Sequence, residues 1–193
     1  MTFESRPAAD ILKAADGLRM PQALAARKAA ESEALRKLHP EIEDDEGPDE
    51  GAWPSTGDAP QPAGDIPMTP LAATNYATGG YLPRVHILLA PTDEGAAVLA
   101  HLRYGGWNDC PPPEYHVAQL RALHERYGFE LIAVGPDTIE GQFQRLPASR
   151  AEAMALAREL HLYCSDSIYQ GFDTVSAYAH DLLTSRWRFF WWD

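Results

Sequence analysis

Trp187-Arg188-Phe189-Phe190-Trp191-Trp192-Asp193 decides how this chain is read, because three of its five tryptophans fall within these seven residues. Aromatic side chains left in water would forgo burial worth about 1.5–3 kcal/mol each. The stretch therefore reads as a core strand and not as a frayed tail. With the period-two alternation of a strand, Trp187, Phe189 and Trp191 share one face and Arg188, Phe190 and Trp192 the other. Aromatics on both faces predict an interior strand.

Upstream of that strand, Asp173 is predicted to cap a final helix with Val175, Tyr178 and Leu182 turned inward. The sequence Ser149-Arg150-Ala151-Glu152 has the form of a capping box, and the helix it opens carries Ala153, Leu156, Leu160 and Tyr163. Residues 129–134 and 138–144 read as two strands joined by a Gly135-Pro136-Asp137 turn. In the second strand Ile139 and Phe143 alternate with Thr138, Glu140, Gln142 and Gln144, which predicts one wet face. Pro111, Pro112 and Pro113 open a helix with Val117, Leu120, Leu123 and Tyr127 on one side, ended by Gly128. Thr92-Asp93-Glu94 begins an earlier helix that Gly105-Gly106 stops. The apolar run 85–90, Val-His-Ile-Leu-Leu-Ala, reads as a further strand. The order is then β-α-α-β-β-α-α-β. It predicts an α+β, ferredoxin-like split βαβ fold, with a four-stranded sheet and helices mainly on one face.

Three regions precede from composition. Residues 1–39 alternate alanine and leucine with charge and predict an N-terminal helical segment, Pro21 opening a second helix that runs to about Lys37. Its apolar stripe is thin, as suits a helix docked at the periphery or one offered to a partner. Residues 40–80 change character: nine acidic residues and no lysine or arginine lie from Glu41 to Asp65, and seven prolines from Pro40 to Pro70. Such a segment buries too little apolar surface to offset its ordering entropy and reads as a disordered linker. Its acidic run, residues 43–46, reads as solvated charge. Residues 81–193 form the predicted globular domain.

A net charge of −12 and a pI near 4.9 argue against nucleic acid and anionic membrane surfaces, whose phosphates would be repelled, and favour a basic protein partner. Two cysteines, Cys110 and Cys164, are too few for a disulfide scaffold. No apolar run has the length of a signal peptide core or a membrane span, so a cytoplasmic location is expected. Oligomeric state is not set by these numbers.

The residues suited to chemistry cluster twice. The loop Gly105-Gly106-Trp107-Asn108-Asp109-Cys110 gathers an amide, a carboxylate, a thiol and a large aromatic between two helices. Trp107, Asn108 and Asp109 are candidate binding residues, and Cys110 is a candidate nucleophile. The competing structural roles are a core anchor for Trp107, a left-handed turn for Asn108 and a buried apolar site for Cys110. The second cluster is His161-Leu162-Tyr163-Cys164-Ser165-Asp166, in which Asp166 is a candidate for both binding and catalysis. His161 and Cys164 at i and i+3 supply only half of a zinc site, and neither HExxH nor paired CxxC motifs occur. No metal and no cofactor are expected. His86, His101, His116, His124 and His180 are scattered, with His116 and His124 turned about 80° apart on one helix.

Together these motifs resemble the bacterial domain-of-unknown-function family 4253, across roughly residues 82–193. The likeness rests on Gly105-Gly106-Trp107-Asn108-Asp109-Cys110-Pro111, Tyr127-Gly128, residues 153–159, Tyr163-Cys164-x-Asp166 and the terminal aromatic run. Phe129, Leu146 and Ser165 depart from the usual pattern. The resemblance implies an architecture and no established activity. It makes Trp107, Asn108, Cys110, Cys164, Asp166 and Trp191-Trp192-Asp193 candidates to be tested as one assembled site. The expected function is a non-enzymatic, immunity-like binding module for a protein partner. The alternative is a hydrolase or transferase using Asn108, Cys110 and Asp166.

Overall fold

A computed structural model of the chain describes residues 5–41, 47–55, 73–75 and 78–192. The acidic run 43–46, the proline-rich stretch 56–72 and Asp193 lie outside the described residues. Three strands, β1 (Glu130–Val134), β2 (Thr138–Gln142) and β3 (Trp187–Trp191), pair antiparallel in the order β1-β2-β3. The helices are α1 (Ala8–Asp16), α2 (Gln22–Leu38), α3 (Ala97–Leu102), α4 (Pro113–Tyr127), α5 (Arg150–Tyr163) and α6 (Val175–Leu182). A π-helical turn, Ser167–Phe172, separates α5 from α6.

The α+β class holds, but the expected four-stranded, ferredoxin-like sheet does not, because residues 85–90 form no strand among the described residues. Pro83 and Pro91 flank that run, and neither has the N–H that a ladder needs. An apolar run states what a segment can bury, not whether a partner strand is there to pair with it. The aromatic strand is likewise at an edge and not in the interior, since β2 takes the middle. Arg188, Phe190 and Trp192 are buried, while Trp187, Phe189 and Trp191 are half-buried. On that second face Phe189 and Trp191 stack at 5.4 Å and cover one another. The wet face expected of the second strand is wet only in part: Gln144 is exposed and Thr138 and Gln142 are half-buried. Glu140 is fully buried, paired with Ala133 on one side and Phe189 on the other.

Helix ends show local chemistry at work. Ser149 Oγ accepts from the Glu152 N–H at 3.2 Å, and the Glu152 carboxylate returns to the Ala148 N–H at 2.8 Å. The cap of α6 is Thr174, whose hydroxyl accepts from Ala177 N–H at 3.2 Å. Asp173, expected there, sits one residue too early with φ +64°. The helix begun near Thr92 ends at Arg103 and not at the glycines, with Arg103 in the left-handed region.

Residues 47–55 lie against α6 and α5. The Asp49 and Glu50 carbonyls accept from Val175 and Ser176 N–H at 2.9 and 3.0 Å, satisfying two of the orphan amides at the start of α6. Glu50 grips Arg158 through both oxygens, and Arg150 lies 4.2 Å over the Trp53 ring. Inside, the Glu159 carboxylate takes Arg126 bidentately and Gln119 Nε2 at 2.7 Å, tying α4 to α5. Buried Arg188 reaches Asp181 at 2.7 Å and ties β3 to α6.

The N-terminal helices attach unequally. α1 buries Ile11 and Ala15 against α3 and α4, whereas only Leu24 is buried among the 17 residues of α2.

Candidate functional site

The loop joining α3 to α4 is built on left-handed residues. Gly105, Gly106 and Asn108 have φ of +111°, +82° and +43°. Cys110 N–H donates to the Trp107 carbonyl at 2.8 Å, and Gly106 N–H to the Pro111 carbonyl at 3.0 Å, folding the loop back on itself. Gly105 is required by space as well as by φ. A Cβ there would lie 2.0 Å from the Pro111 oxygen and 2.6 Å from His116 Nε2. Gly105→Ala is expected to cost about 3 kcal/mol or more. Gly106→Ala, with open space around its Cβ, should cost only the backbone strain of about 1–2 kcal/mol. Urea unfolding of the two variants side by side measures the difference.

What Gly105 makes room for is a buried polar chain. Cys110 Sγ lies 3.4 Å from His116 Nε2, and His116 Nδ1 lies 2.7 Å from the Tyr163 hydroxyl. Cys110, His116 and Tyr163 are all buried to within 1%. The imidazole is enclosed edge-on by Tyr104, Tyr163 and Trp192, with ring centroids at 5.2, 5.4 and 5.1 Å. Burial pushes the His116 pKa down to about 3, and the Arg27 charge pushes the same way, so the ring is neutral. Burial also pushes the Cys110 thiol far up, against the opposing pull of the Gly106 amide and Arg27. At neutral pH this is a thiol beside a neutral imidazole.

The residues singled out from sequence fall in three places. Trp107 is half-buried and packs edge-on to Tyr104 at 5.0 Å. Asn108 and Asp109 are exposed. Asp109 meets α2, its carbonyl taking Arg27 at 3.3 Å and its carboxylate lying 3.6 Å from Lys28. Cys164 is buried and donates its thiol to the Trp191 carbonyl at 3.1 Å; burial raises its pKa to about 11. Asp166 is half-buried at the start of the π-helical turn. Trp192 links the clusters, its indole N–H donating to the Tyr163 carbonyl while its ring meets His116. The structure thus joins Cys110 to His116 and Tyr163, and no contact between Cys110 and Asn108 or Asp166 appears among the described residues. His116 carried a readable signal. It lies on the apolar stripe of α4 with Pro113, Val117, Leu120 and Leu123, where an imidazole needs a buried partner.

A separate surface cleft of about 430 Å³ opens between residues 93–96, α4 and the start of β1. Asp93, Glu94 and Glu130 line it together with Arg121 and His124. Arg121 holds Glu94 by two hydrogen bonds and keeps its carboxyl below the ordinary range. Among the described residues no cluster of three or more His, Cys, Asp or Glu side chains is arranged to hold a metal ion.

These features define an α+β domain in which a glycine-rich loop and Trp192 meet around the buried His116 ring. The chain belongs to the DUF4253 family, a domain of unknown function, whose model matches residues 86–193. No curated protein and no solved structure matches the chain. α1, α2 and residues 47–55 lie outside the matched region. No helix among the described residues is long and apolar enough to cross a membrane.

Proposed function

We propose that the protein is a binding module of accessory, immunity-like type, and that it captures a basic protein partner. One observation carries this reading: Val85, Ile87, Leu88 and Leu89 are exposed in a segment outside any helix or strand, Ile87 at 90% and Leu89 at 89%. Apolar side chains in a continuous exposed run mark a surface that is covered in use. Each such side chain, once buried, contributes about 1.5–3 kcal/mol to association. Along the chain the segment leads to Asp93 and Glu94, which with Glu130 line the cleft, and the chain as a whole carries −12. Charge of this sign steers a basic partner and fixes its orientation, while the apolar run supplies affinity.

Ile87→Asp/Leu89→Asp is the test. In quantitative pull-downs from the native lysate, the parent is expected to retain a basic protein. The double variant should lose it by tenfold or more with unchanged melting behaviour. Identical retention by both proteins would overturn the reading.

A second reading, a hydrolase or transferase acting through Cys110, is favoured by the 3.4 Å approach of His116 to the thiol. It replaces Asn108 and Asp166 by His116 as the partner of the sulfur, with Tyr163 bonded to the far nitrogen of the ring. Cys110→Ser with every activity of the parent intact would remove it.

A further inference from the structure

α2 lies over the loop that carries Cys110, and it is held there lightly. Only Leu24 is buried. Arg27, whose side chain is largely buried, bonds the Asp109 carbonyl, the half-buried Lys28 lies near the Asp109 carboxylate, and α2 also touches α5. With one buried leucine in 17 residues, α2 has few apolar contacts, and such a segment opens locally below the global unfolding free energy.

What lies beneath is organised for nucleophilic chemistry. The imidazole faces the sulfur through Nε2 and is oriented through Nδ1 by Tyr163, the arrangement of a thiol, its base and the group that aims the base. Beside it Tyr104, itself buried, holds a hydroxyl with no hydrogen-bond partner, packed edge-on to His116 and next to Trp107. A buried orphan hydroxyl is destabilising unless something accepts from it. It is the donor left over for an incoming group that brings an acceptor.

We propose that Cys110 is a gated nucleophilic thiol, sealed while α2 lies on the loop and open to a small acceptor-bearing disulfide when α2 lifts. The step is thiol–disulfide exchange. The Cys110 Sγ–H proton passes to His116 Nε2, and the thiolate forms a new S–S bond with one sulfur of the disulfide. The other sulfur leaves as a thiolate and recovers that proton from the imidazolium. Burial is the main force holding the thiol protonated, and lifting the cover relieves it; Arg27, which favours the thiolate, leaves with α2, while the Gly106 amide, which favours it too, stays in the loop. Cys164 lies outside this device, with its thiol bonded to the Trp191 carbonyl.

The experiment uses the full chain and the carboxylate-bearing aromatic disulfide 5,5′-dithiobis(2-nitrobenzoate), with each modified cysteine assigned by peptide mapping. Leu24→Asp should raise the labelling rate of Cys110 about tenfold or more and leave Cys164 at its parental rate. Adding His116→Gln to Leu24→Asp should lower the Cys110 rate again by about tenfold, because the base is gone. Cys110 labelled no faster in Leu24→Asp would overturn the proposal. So would Cys110 and Cys164 rising in step, since that reports general unfolding and not a lifted helix. The outcome is independent of partner capture by residues 85–89.

Discussion

Deleting residues 190–193 should abolish the cooperative thermal transition of the domain. Phe190 and Trp192 are buried to within 2%, and their rings meet Tyr163 at 5.1 and 5.4 Å and His116 at 5.1 Å. The deletion also removes the Ile139–Phe190 and Thr138–Trp191 pairings and the bond from Trp192 N–H to the Asp137 carbonyl. It further takes away the Trp191 carbonyl to which the Cys164 thiol donates. Truncating one buried aromatic to alanine costs about 3–5 kcal/mol. Two together approach the whole stability of a small domain, about 5–15 kcal/mol. Trp192→Ala alone should therefore weaken the fold by about 3–5 kcal/mol, and the deletion should leave no near-ultraviolet dichroism and no sharp melt. A truncated protein that melts at the parental midpoint would contradict the packing described for β3.

That strand also shows how far the sequence carries. Its aromatic content required burial and alternation sorted its residues into two faces, because both follow from the strand's own residues, but which face is the buried one did not follow. Its place at the edge did not follow, since position in a sheet depends on which other segments pair. Residues 85–90 illustrate the same limit: the apolar pattern was legible, while the partner was not. Boundaries set by local chemistry were the most readable. Ser149 and Glu152 bond as a cap, and Gly128 ends α4 in the left-handed region. The candidate site was half legible. Cys110 and its loop stood out by composition. His116 looked like one scattered histidine, because its link to the thiol crosses from loop to helix and its orienting hydroxyl comes from α5, 47 residues away. Glu140 was misread for the same reason: a carboxylate in a strand suggests water until the neighbouring strands are known to cover it.

His116 should make the fold acid-sensitive well above the range where carboxylates titrate. The unfolded chain binds a proton at this imidazole near pH 6.5, whereas the folded chain does so only near pH 3. Between those values the unfolded state holds more protons, so stability is full above pH 6.5 and falls on acidification by about 1.4 kcal/mol per pH unit. The cause is placement. Protonation would put a cation among Tyr104, Tyr163 and Trp192, beside the Cys110 thiol and under the charge of Arg27. The surface carboxylates Glu50 and Glu94, held low by their arginines, add their own loss only below about pH 4.5 and in the same direction. The interval from pH 6.5 to 4.5 therefore isolates the imidazole, with a loss on the order of 3 kcal/mol. His116→Gln keeps six of the seven histidines. It is expected to be less stable at pH 7, because Tyr163 and Cys110 lose a fitted partner, yet to show a much flatter decline in urea midpoint from pH 7 to 5. Equal slopes in parent and variant would mean that the buried ring does not stay neutral as the fold requires, and that another group carries the acid sensitivity.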